Sequence, residues 1–463
     1  MFRKVLIANR GEIAVRIIRA CHELGVRTVV AHSEADRLSM AVSASDEAIC
    51  VGPASSDKSY LNIPNIVSAA LVSGADAIHP GYGFLSENAY LAEVCAHCGI
   101  TFVGPSAAAI EKFSDKSAAR LTMQAAGLPV IAGIDEPLSG LDAALKAASE
   151  IGYPVMVKAC AGGGGRGLRV ACDEPELMRG FQIAQAEAQS AFGNGDLYME
   201  KLIEGARHVE VQVLVDRYGA AVHFGERDCS LQRRHQKIVE ETPSPGVDDA
   251  VRGEMCERAA NAAAAVGYEG AGTVEFLVDR SGRYYFMEMN TRIQVEHPVS
   301  EMTTGIDLLK WQLRVAAGEP LAFSQSDVVP RGHAIECRVN AEDPSRGFAP
   351  QSGLISSYVA PGGPGVRVDS HLFSGYMMPP YYDSLLAKVV VWGSDRAEAM
   401  ARMRRALLET RIAGVTTNLP FHMKLLDSDE FLSGSYDTKT VEKLLAGAVA
   451  ADMAGGTGAV AGA

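Results

Sequence analysis

Apolar residues recur in two rhythms along this chain, and the change from one to the other marks out its architecture. Residues 4–9 and 28–32 are short apolar runs that read as buried parallel strands, while Ile13, Ile17, Ala20 and Leu24 between them fall at helical spacing. Further strand-like runs at 48–51, 75–78 and 100–103 alternate with helical stretches through 66–71 and 87–97. Such alternation predicts a doubly wound parallel-sheet domain over residues 1–114. Asp115-Lys116 opens a helix that begins a second domain, expected over 115–330. Near residue 331 the texture becomes β-rich, with strands predicted at 334–339 and 354–359 and turns at Pro361-Gly362-Gly363-Pro364, so a third domain is expected over 331–446. The fold class is therefore mixed, α/β and α+β. From 447 to 463 the chain is nearly all Ala, Gly, Val and Thr, without a packing pattern, and a disordered tail is expected.

Within the middle domain His208, Glu210 and Gln212 alternate with Val209, Val211 and Val213, the mark of a half-buried strand whose polar face is either a working face or simply solvated. Runs 273–278 and 284–290 read as a hairpin. A turn centred on Ser281-Gly282 sets Glu275 directly opposite Glu288 and Phe276 opposite Met287. Carboxylates opposed at that range repel by roughly 3–4 kcal/mol at an effective dielectric near 20. A cation removes that strain. Glu275, Glu288 and Asn290, all oxygen ligands on one face, suit Mg²⁺ (or Mn²⁺); the bland alternative is a pair of acids with no metal. If the chain stays extended, Arg292, Gln294 and Glu296 continue the same face. Together with the basic run Ser230-Leu231-Gln232-Arg233-Arg234-His235-Gln236-Lys237 they could hold a small anion, unless that run is only a solvated charged face.

A glycine run from Gly162 to Gly167, interrupted only by Arg166, lies between strand-like stretches 153–160 and 168–172. It satisfies a G-x-G-x-x-G pattern, yet no helix starts behind it and no Gly-Lys-Ser/Thr follows, which excludes both the dinucleotide fingerprint and the P-loop. What remains is a glycine-rich hairpin lid, part of a lid subdomain at about 131–203, or else a plain surface hairpin. Backbone N–H groups without side chains approach polyphosphate closely, and Lys158 adds a charge. Asn9-Arg10-Gly11-Glu12 fills the first strand-to-helix turn with a single glycine. His79-Pro80-Gly81-Tyr82-Gly83-Phe84 sits at a strand's carboxyl end, where α/β sheets bind ligands; its plain alternative is a turn capped by Ser86.

Composition narrows the options. A chain of 463 residues, 48% hydrophobic, with a formal net charge of −13, suits two or three globular domains sharing a cleft and argues against nucleic-acid binding, so any anion site must be a local basic cluster. No apolar run reaches the roughly 18–20 residues a bilayer span needs, and the N-terminus is too short for a signal peptide, so no membrane association is expected. Nine cysteines, an odd and scattered set, read as reduced thiols of a cytoplasmic protein, and Cys95-Ala96-His97-Cys98 reads as helix packing.

Lys158 with its glycine lid, Glu200-Lys201-Leu202-Ile203, the run from Gln232 to Lys237, Glu275, and Glu288 through Pro298 resemble the ATP-grasp enzymes. Arg10-Gly11-Glu12-Ile13-Ala14, His79-Pro80-Gly81-Tyr82-Gly83 and Arg338 within Glu336-Cys337-Arg338-Val339-Asn340 narrow the resemblance to the biotin carboxylases of acetyl-/propionyl-CoA carboxylase-type enzymes, over residues 2–445. The resemblance implies ATP contacts from Lys116, Lys158, Gly163, Gly164, Gly165, Arg166, Gly167, His208, Gln232 and His235, with Glu200, Lys201 and Ile203 lining the adenine pocket. It puts the metal on Glu275 and Glu288. Lys237, Arg292, Gln294 and Val295 would hold bicarbonate, Glu296 would act as general base, Arg338 would stabilise the biotin enolate, and Tyr82 and Asp383 would lie near the biotin ring. The implied reaction makes carboxyphosphate from ATP and bicarbonate and then carboxylates the biotin ureido nitrogen.

The acceptor lysine of a biotinyl domain has no match here, since Met423-Lys424-Leu425 falls in a helical stretch. The chain is expected to be the carboxylase component alone or cut from a longer subunit, with biotin on a carrier protein or domain and a partner carboxyltransferase choosing the final acceptor. A homodimer through the N- and C-terminal domains is expected, with Arg19 and Glu23 fitting that surface and Pro364 in place of an aromatic residue. Two other readings stand beside this one. Another ATP-grasp ligase would share the lid and the Glu pair without needing the Arg338 motif, and a catalytically silent regulatory homologue would not turn over at all.

Overall fold

Five short strands, β1 (Lys4–Ile7), β2 (Arg27–Ser33), β3 (Glu47–Gly52), β4 (Ala77–His79) and β5 (Thr101–Phe102), make a parallel sheet in the order β3-β2-β1-β4-β5. The computed structural model describes residues 1–134, 136–160 and 167–455. Helix Gly11–Glu23 buries Ile13, Ile17 and Ala20 against this sheet, and Leu24 ends the helix as its cap. The strand order reverses between β1 and β4, the place where open α/β sheets leave a crevice. Both loops singled out in the sequence meet there: the Asn9 side-chain amide donates to the carbonyls of Pro80 (2.6 Å) and Tyr82 (2.7 Å). Gly81 has φ +64°, and a Cβ would stand 3.0 Å from the Asn9 amide, so this approach requires glycine. Asn88 rather than Ser86 caps the next helix.

Asp115 caps helix Lys116–Ala125, as predicted. Strands β6 (Val155–Ala159), β7 (Arg169–Ala171) and β8 (Leu197–Lys201) then form an antiparallel sheet with a core of its own, including Val157, Leu177, Phe181 and Met199. β6 and β7 are the expected hairpin arms. Gly162, Gly163, Gly164, Gly165 and Arg166 lie outside the described residues; Gly167, at φ +67°, donates its N–H to Glu187 at 3.4 Å.

The remaining long strands are β9 (Arg207–Val215), β10 (Ala221–Arg233), β11 (Gln236–Thr242), β12 (Gly270–Val278), β13 (Tyr284–Asn290) and β14 (His333–Asn340). The C-terminal part adds β15 (Glu342–Asp343), β16 (Ala349–Pro350), β17 (Gly353–Leu354), β18 (Ser357–Val359), β19 (Val366–Ser370), β20 (Met377–Met378), β21 (Leu385–Gly393) and β22 (Arg411–Ala413). Eight of these make one sheet, β13-β12-β9-β10-β11-β14-β21-β19. It runs unbroken through the β11–β14 pairing, across the change of texture near residue 331.

Four expectations are corrected. The strand predicted at 354–359 is two pieces, since β17 pairs with β20 and β18 with β22, and the chain changes partner around buried Ile355. In the hairpin, Glu275 does face Glu288, but Phe276 faces Phe286, because the turn is centred on Ser281 rather than between Ser281 and Gly282 and a bulge at Met287 restores the register. The polar face of β9 is not solvated: Glu210 and Gln212 are fully buried, covered on the side opposite the valine-lined core. Finally, the tail is not irregular from residue 447, because helix Thr440–Gly455 continues through its alanines, the strongest helix formers. Residues 456–463 lie outside the described residues.

Candidate functional site

Register alone assembles the acidic core of the site. β9 pairs with β12 so that Glu210 faces Glu275, and β12 pairs with β13 so that Glu275 faces Glu288, giving three carboxylates in a row across three strands. β10 and β11 bring the cations. Between them the chain reverses through Arg234 (φ +48°) and His235 (φ +66°), a tight left-handed turn that sets Gln232 opposite Lys237. Lys237 Nζ then donates to Glu210 (2.5 Å), Glu275 (3.2 Å) and Glu296 (2.6 Å). The basic run is thus divided: Arg233 lies over the Phe348 ring and Arg234 is exposed, while Gln232 and Lys237 turn inward.

Arg292, Gln294 and Glu296 reach the same place without an extended chain, because β13 ends at Asn290 and Glu296 caps helix His297–Thr304. The premise of continued alternation is therefore wrong, although its grouping holds. Arg292 Nη1 donates to Gln294 (2.8 Å) and Nη2 to Asn290 (2.9 Å), while Nε pairs with Glu87 (3.0 Å). Val295 offers its carbonyl to Lys388 Nζ at 2.8 Å. Glu296 is fully buried between Lys237 and Arg338, whose Nη2 donates to it at 2.9 Å while Nε donates to Glu240 at 2.5 Å.

Burial alone would push the Glu296 carboxyl up, but Lys237 and Arg338 outweigh it and hold the group well below the carboxylate range. Glu210, 0% exposed, is pushed the other way by burial and by the Glu296 charge. The two neighbouring acids are thus shifted in opposite directions, Glu296 down and Glu210 up, although Glu210 itself accepts from Arg227 and Lys237. Burial works against the charged form of Glu275 as well, yet Lys237 and His208 depress it strongly, with His208 Nε2 at 2.8 Å. That contact also raises His208 against its burial, and Nε2 is the donor because the carboxylate oxygen can only accept.

The remaining predicted residues fall around this centre. Lys116 Nζ stands 3.4 Å from Glu288, which is 36% exposed at the rim. Lys158 on β6 pairs with Glu200 on β8. The Lys201 ammonium is turned to the carbonyls of Gly152 (2.9 Å) and Tyr153 (2.7 Å), and Ile203 is partly buried. Tyr82 donates its hydroxyl to Glu12, and its phenol feels both Asp383 and Arg338, so these three face one region. Asp383 lies at the mouth, 65% exposed, with Arg10 Nη1 at 3.9 Å.

Several residues in this centre had not been singled out. Glu210 carried its signal in its shared face with His208, but Arg227 gave none. It is fully buried and donates to Glu210 (2.6 Å), Gln212 (2.8 Å) and Ser300 (3.1 Å), holding the acidic row from beneath. Lys388, also fully buried, pairs with Glu12 at 3.0 Å behind Tyr82.

The donor set suits a hard divalent cation. Glu288 has an accessible carboxylate opposite Glu275, and Asn290 donates to Glu275 at 2.7 Å, so two acids and an amide are already gathered on one face. Ligand atoms also converge in two buried groups, His208 with Glu210 and Glu275, and Glu210 with Cys229 and Glu296. Lys237 already neutralises both, and soft or cationic members make them poor Mg²⁺ sites, so the Glu275–Glu288 pair fits the metal better.

Comparison with known proteins is consistent along the chain. Residues 1–110 match the biotin carboxylase N-terminal domain, 115–324 the ATP-binding domain of the carbamoyl-phosphate synthase L chain, and 336–443 the biotin carboxylase C-terminal domain. Biotin carboxylase 1 of Bacillus subtilis is 58% identical over 443 residues, covering 96% of this chain and 98% of that one. A biotin carboxylase from Campylobacter jejuni, solved as a β,γ-ATP complex, superposes with a TM-score of 0.93 at 50% identity, covering 96% of this chain and 99% of that one. The biotin carboxylase domain dimer of Hydrogenobacter thermophilus 2-oxoglutarate carboxylase, solved with MgADP, ADP and bicarbonate, gives 0.92 at 49% identity and the same coverage.

Proposed function

The chain belongs to the biotin carboxylase family, and from that membership we propose which residues carry each part of the reaction. It is an ATP-dependent ligase that carboxylates biotin with bicarbonate, using ATP and Mg²⁺. Lys116, Lys158, His208, Gln232 and His235 bind the nucleotide, with Gly163 to Gly167 over its phosphates and Glu200 to Ile203 at the adenine. Glu275 and Glu288, with Asn290, would hold Mg²⁺, which supplies charge neutralisation at the phosphate oxygens. Lys237 and Arg292, with Gln294 and the Val295 backbone, hold bicarbonate.

Glu296 takes the bicarbonate proton, and the resulting oxyanion attacks the γ-phosphorus of ATP in line with departing ADP, forming carboxyphosphate. Phosphoryl transfer of this kind asks the protein for position and charge more than for covalent help. The carboxyl group then passes to the biotin ureido nitrogen as its C–O bond to phosphate breaks, the leaving phosphate taking up the ureido proton, with Arg338 facing the enolate and Tyr82 and Asp383 beside the ring. The depth of the centre keeps water from the mixed anhydride.

The observation that carries this assignment is Glu296 itself: fully buried, held ionised, and placed between the cation that faces the anion site and the cation that faces biotin. The test is bicarbonate-dependent ADP release with and without free biotin, in the wild type and in Glu296→Gln. Biotin should stimulate the wild type, and the substitution should lower the coupled rate by roughly 10²–10⁴-fold. ADP release indifferent to biotin would indicate another ATP-grasp ligase, and no turnover at all a silent homologue.

Biotin is delivered on a carrier protein or domain, and a carboxyltransferase takes the carboxyl group onward. The protein works as a homodimer in the cytoplasm. A face bearing Arg19 and Glu23 supports the dimer reading, with Glu23 already paired to Lys310 at 2.5 Å.

A further inference from the structure

Behind Arg338 lies an arrangement that the reaction scheme leaves unused. β11 and β14 pair so that Glu240 stands directly opposite Glu336, both 0% exposed. Side chains opposed in this way are about 4.5–5.5 Å apart at Cβ. Glu240 Oε1 accepts from Arg338 Nε at 2.5 Å, but among the described residues Glu240 Oε2 and both oxygens of Glu336 have no hydrogen-bond partner. Beside Glu336 the same face carries Ala334 and Val390, packed under Val299. Arg338 compensates Glu240 alone, so an ionised Glu336 would stand desolvated, without a hydrogen-bond donor and facing a like charge. A proton between them resolves both problems, since a Glu336 hydroxyl then donates to the free oxygen of Glu240.

We infer that Glu240 and Glu336 form a proton-sharing acid pair that fixes Arg338, Glu336 carrying the proton and Glu240 acting as the positioning residue for the guanidinium. The inference rests on the reading of Arg338 as the group facing the biotin enolate. The resulting chain is Glu336 hydroxyl to Glu240 carboxylate to Arg338 to Glu296. Its use is electrostatic. Arg338 already touches two acids, and a third full negative charge beside it would cancel the field offered to a developing enolate. With one proton retained on the pair, the guanidinium sheds one of its two counter-charges when Glu296 accepts the proton of bicarbonate, and its field is then free for the enolate.

The surroundings are consistent with a pair that keeps a proton into the neutral range. Burial, opposed by Arg338 and reinforced by Glu296, raises Glu240 to about 7, and burial raises Glu336 further, with Lys388 and Arg338 opposing. The groups facing the pair are Lys237 on its own strand β11, Cys229 on β10, Lys388 on β21 and Glu296. Helix His297–Thr304 adds His297, kept neutral by burial and neighbouring cations, and Glu301, engaged by Arg16 at 2.9 Å and Arg367 at 2.7 Å. Helices Arg396–Glu409 and Leu419–Leu426 cover the other face of β14, with Ile335, Cys337 and Val339.

The test compares free-biotin carboxylation against pH in wild type, Glu336→Gln, Glu336→Met and Arg338→Gln. Loss of the shared proton should give the wild type an alkaline fall-off. Glu336→Gln keeps a donor but cannot titrate, so the ratio of its rate at about pH 9.5 to that at about pH 7.5 should exceed the wild-type ratio by roughly tenfold. Glu336→Met removes the donor and should lower kcat for biotin by roughly 10-fold or more, leaving KM for ATP in place. Infrared spectra of the wild type should show a protonated carboxyl at neutral pH that disappears on alkaline titration, a readout that does not depend on any variant folding. A Glu336→Gln profile identical to the wild type, or no such carboxyl band, overturns the inference. If Arg338→Gln carboxylates biotin normally, it is the reading of Arg338 that has failed; if Arg338→Gln is inactive while Glu336→Gln keeps the wild-type profile, the acid pair alone has failed.

Discussion

Glu275 and Glu288 are opposed across one hairpin, yet the structure predicts that removing their charges has very different consequences. Glu275 is buried and receives hydrogen bonds from His208 (2.8 Å), Lys237 (3.2 Å), Asn290 (2.7 Å) and Gln294 (2.9 Å). Glu275→Gln leaves the Lys237 and His208 cations short of a counter-charge, and breaking a buried pair in this way costs about 3 kcal/mol of stability. Glu288 is 36% exposed and, among the described residues, pairs only with Lys116 at 3.4 Å, an interaction worth at most about 1 kcal/mol. Glu288→Gln also relieves repulsion between the two acids, so its unfolding temperature should stay close to that of the wild type.

Metal-nucleotide binding should respond to both substitutions. With one of two carboxylate ligands gone, MgADP affinity should fall at least about tenfold, or roughly 1.4 kcal/mol. Affinity for ADP without metal should change little in Glu288→Gln. The assay is calorimetric titration of ADP with and without excess Mg²⁺, beside thermal unfolding of each variant. An unaltered Mg²⁺ dependence in Glu288→Gln would refute the metal assignment. An unaltered unfolding temperature in Glu275→Gln would refute the account of the network that holds it.

Two further outcomes follow from charge. Burial opposes ionisation of Glu241, but His333 and Arg396 bring it down from 4.5 to about 2, so its stabilisation is complete above the unfolded value and is lost as pH falls toward 2. Glu241→Gln should therefore cost about 3 kcal/mol at pH 7 and flatten the acid unfolding profile below pH 5, a loss readable by denaturant titration across pH. Lys237→Gln removes a cation that depresses Glu296, so besides a large fall in rate the acid limb of bicarbonate-dependent ADP release should move toward neutrality by about one pH unit or more; an unmoved limb would mean that Glu296 is not the titrating base.

The sequence was most legible where local periodicity and register determine the outcome. The β1 to β5 alternation, the Asp115 cap and the opposition of Glu275 to Glu288 all follow from short-range patterns, and all are present. The turn is centred on Ser281 rather than between Ser281 and Gly282, and only the bulge at Met287 carries the acids back into line. Burial was harder to read. Glu210 and Gln212 look solvated in isolation, because the residues that cover them come from β10, β11 and the segment after β13. Arg227 lies between two acids in its strand, and nothing local distinguishes it from a surface arginine. Glu240 and Glu336 are 96 positions apart and become a pair only through β11–β14 pairing.

That pairing also explains how one centre serves two chemistries. Of the residues proposed for nucleotide and bicarbonate, His208, Gln232, Lys237, Glu275 and Glu288 ride on β9 to β13 and Arg292, Gln294 and Val295 on the segment that follows, while Arg338, proposed for biotin, rides on β14. A division into domains would place a boundary between them, yet β11 and β14 are hydrogen-bonded neighbours in one sheet. Lys237 and Glu240 lie on the first strand and Arg338 on the second, and Glu296 is within 2.9 Å of cations from both. On the proposed assignment, a carboxyl group activated at Lys237 therefore has only a short distance to travel to a ring held at Arg338, and the pairing of β11 with β14 ties the two cations together. The two cations of Glu296, one on each strand, would make it the element through which the proposed phosphoryl and carboxylation steps are electrostatically coupled.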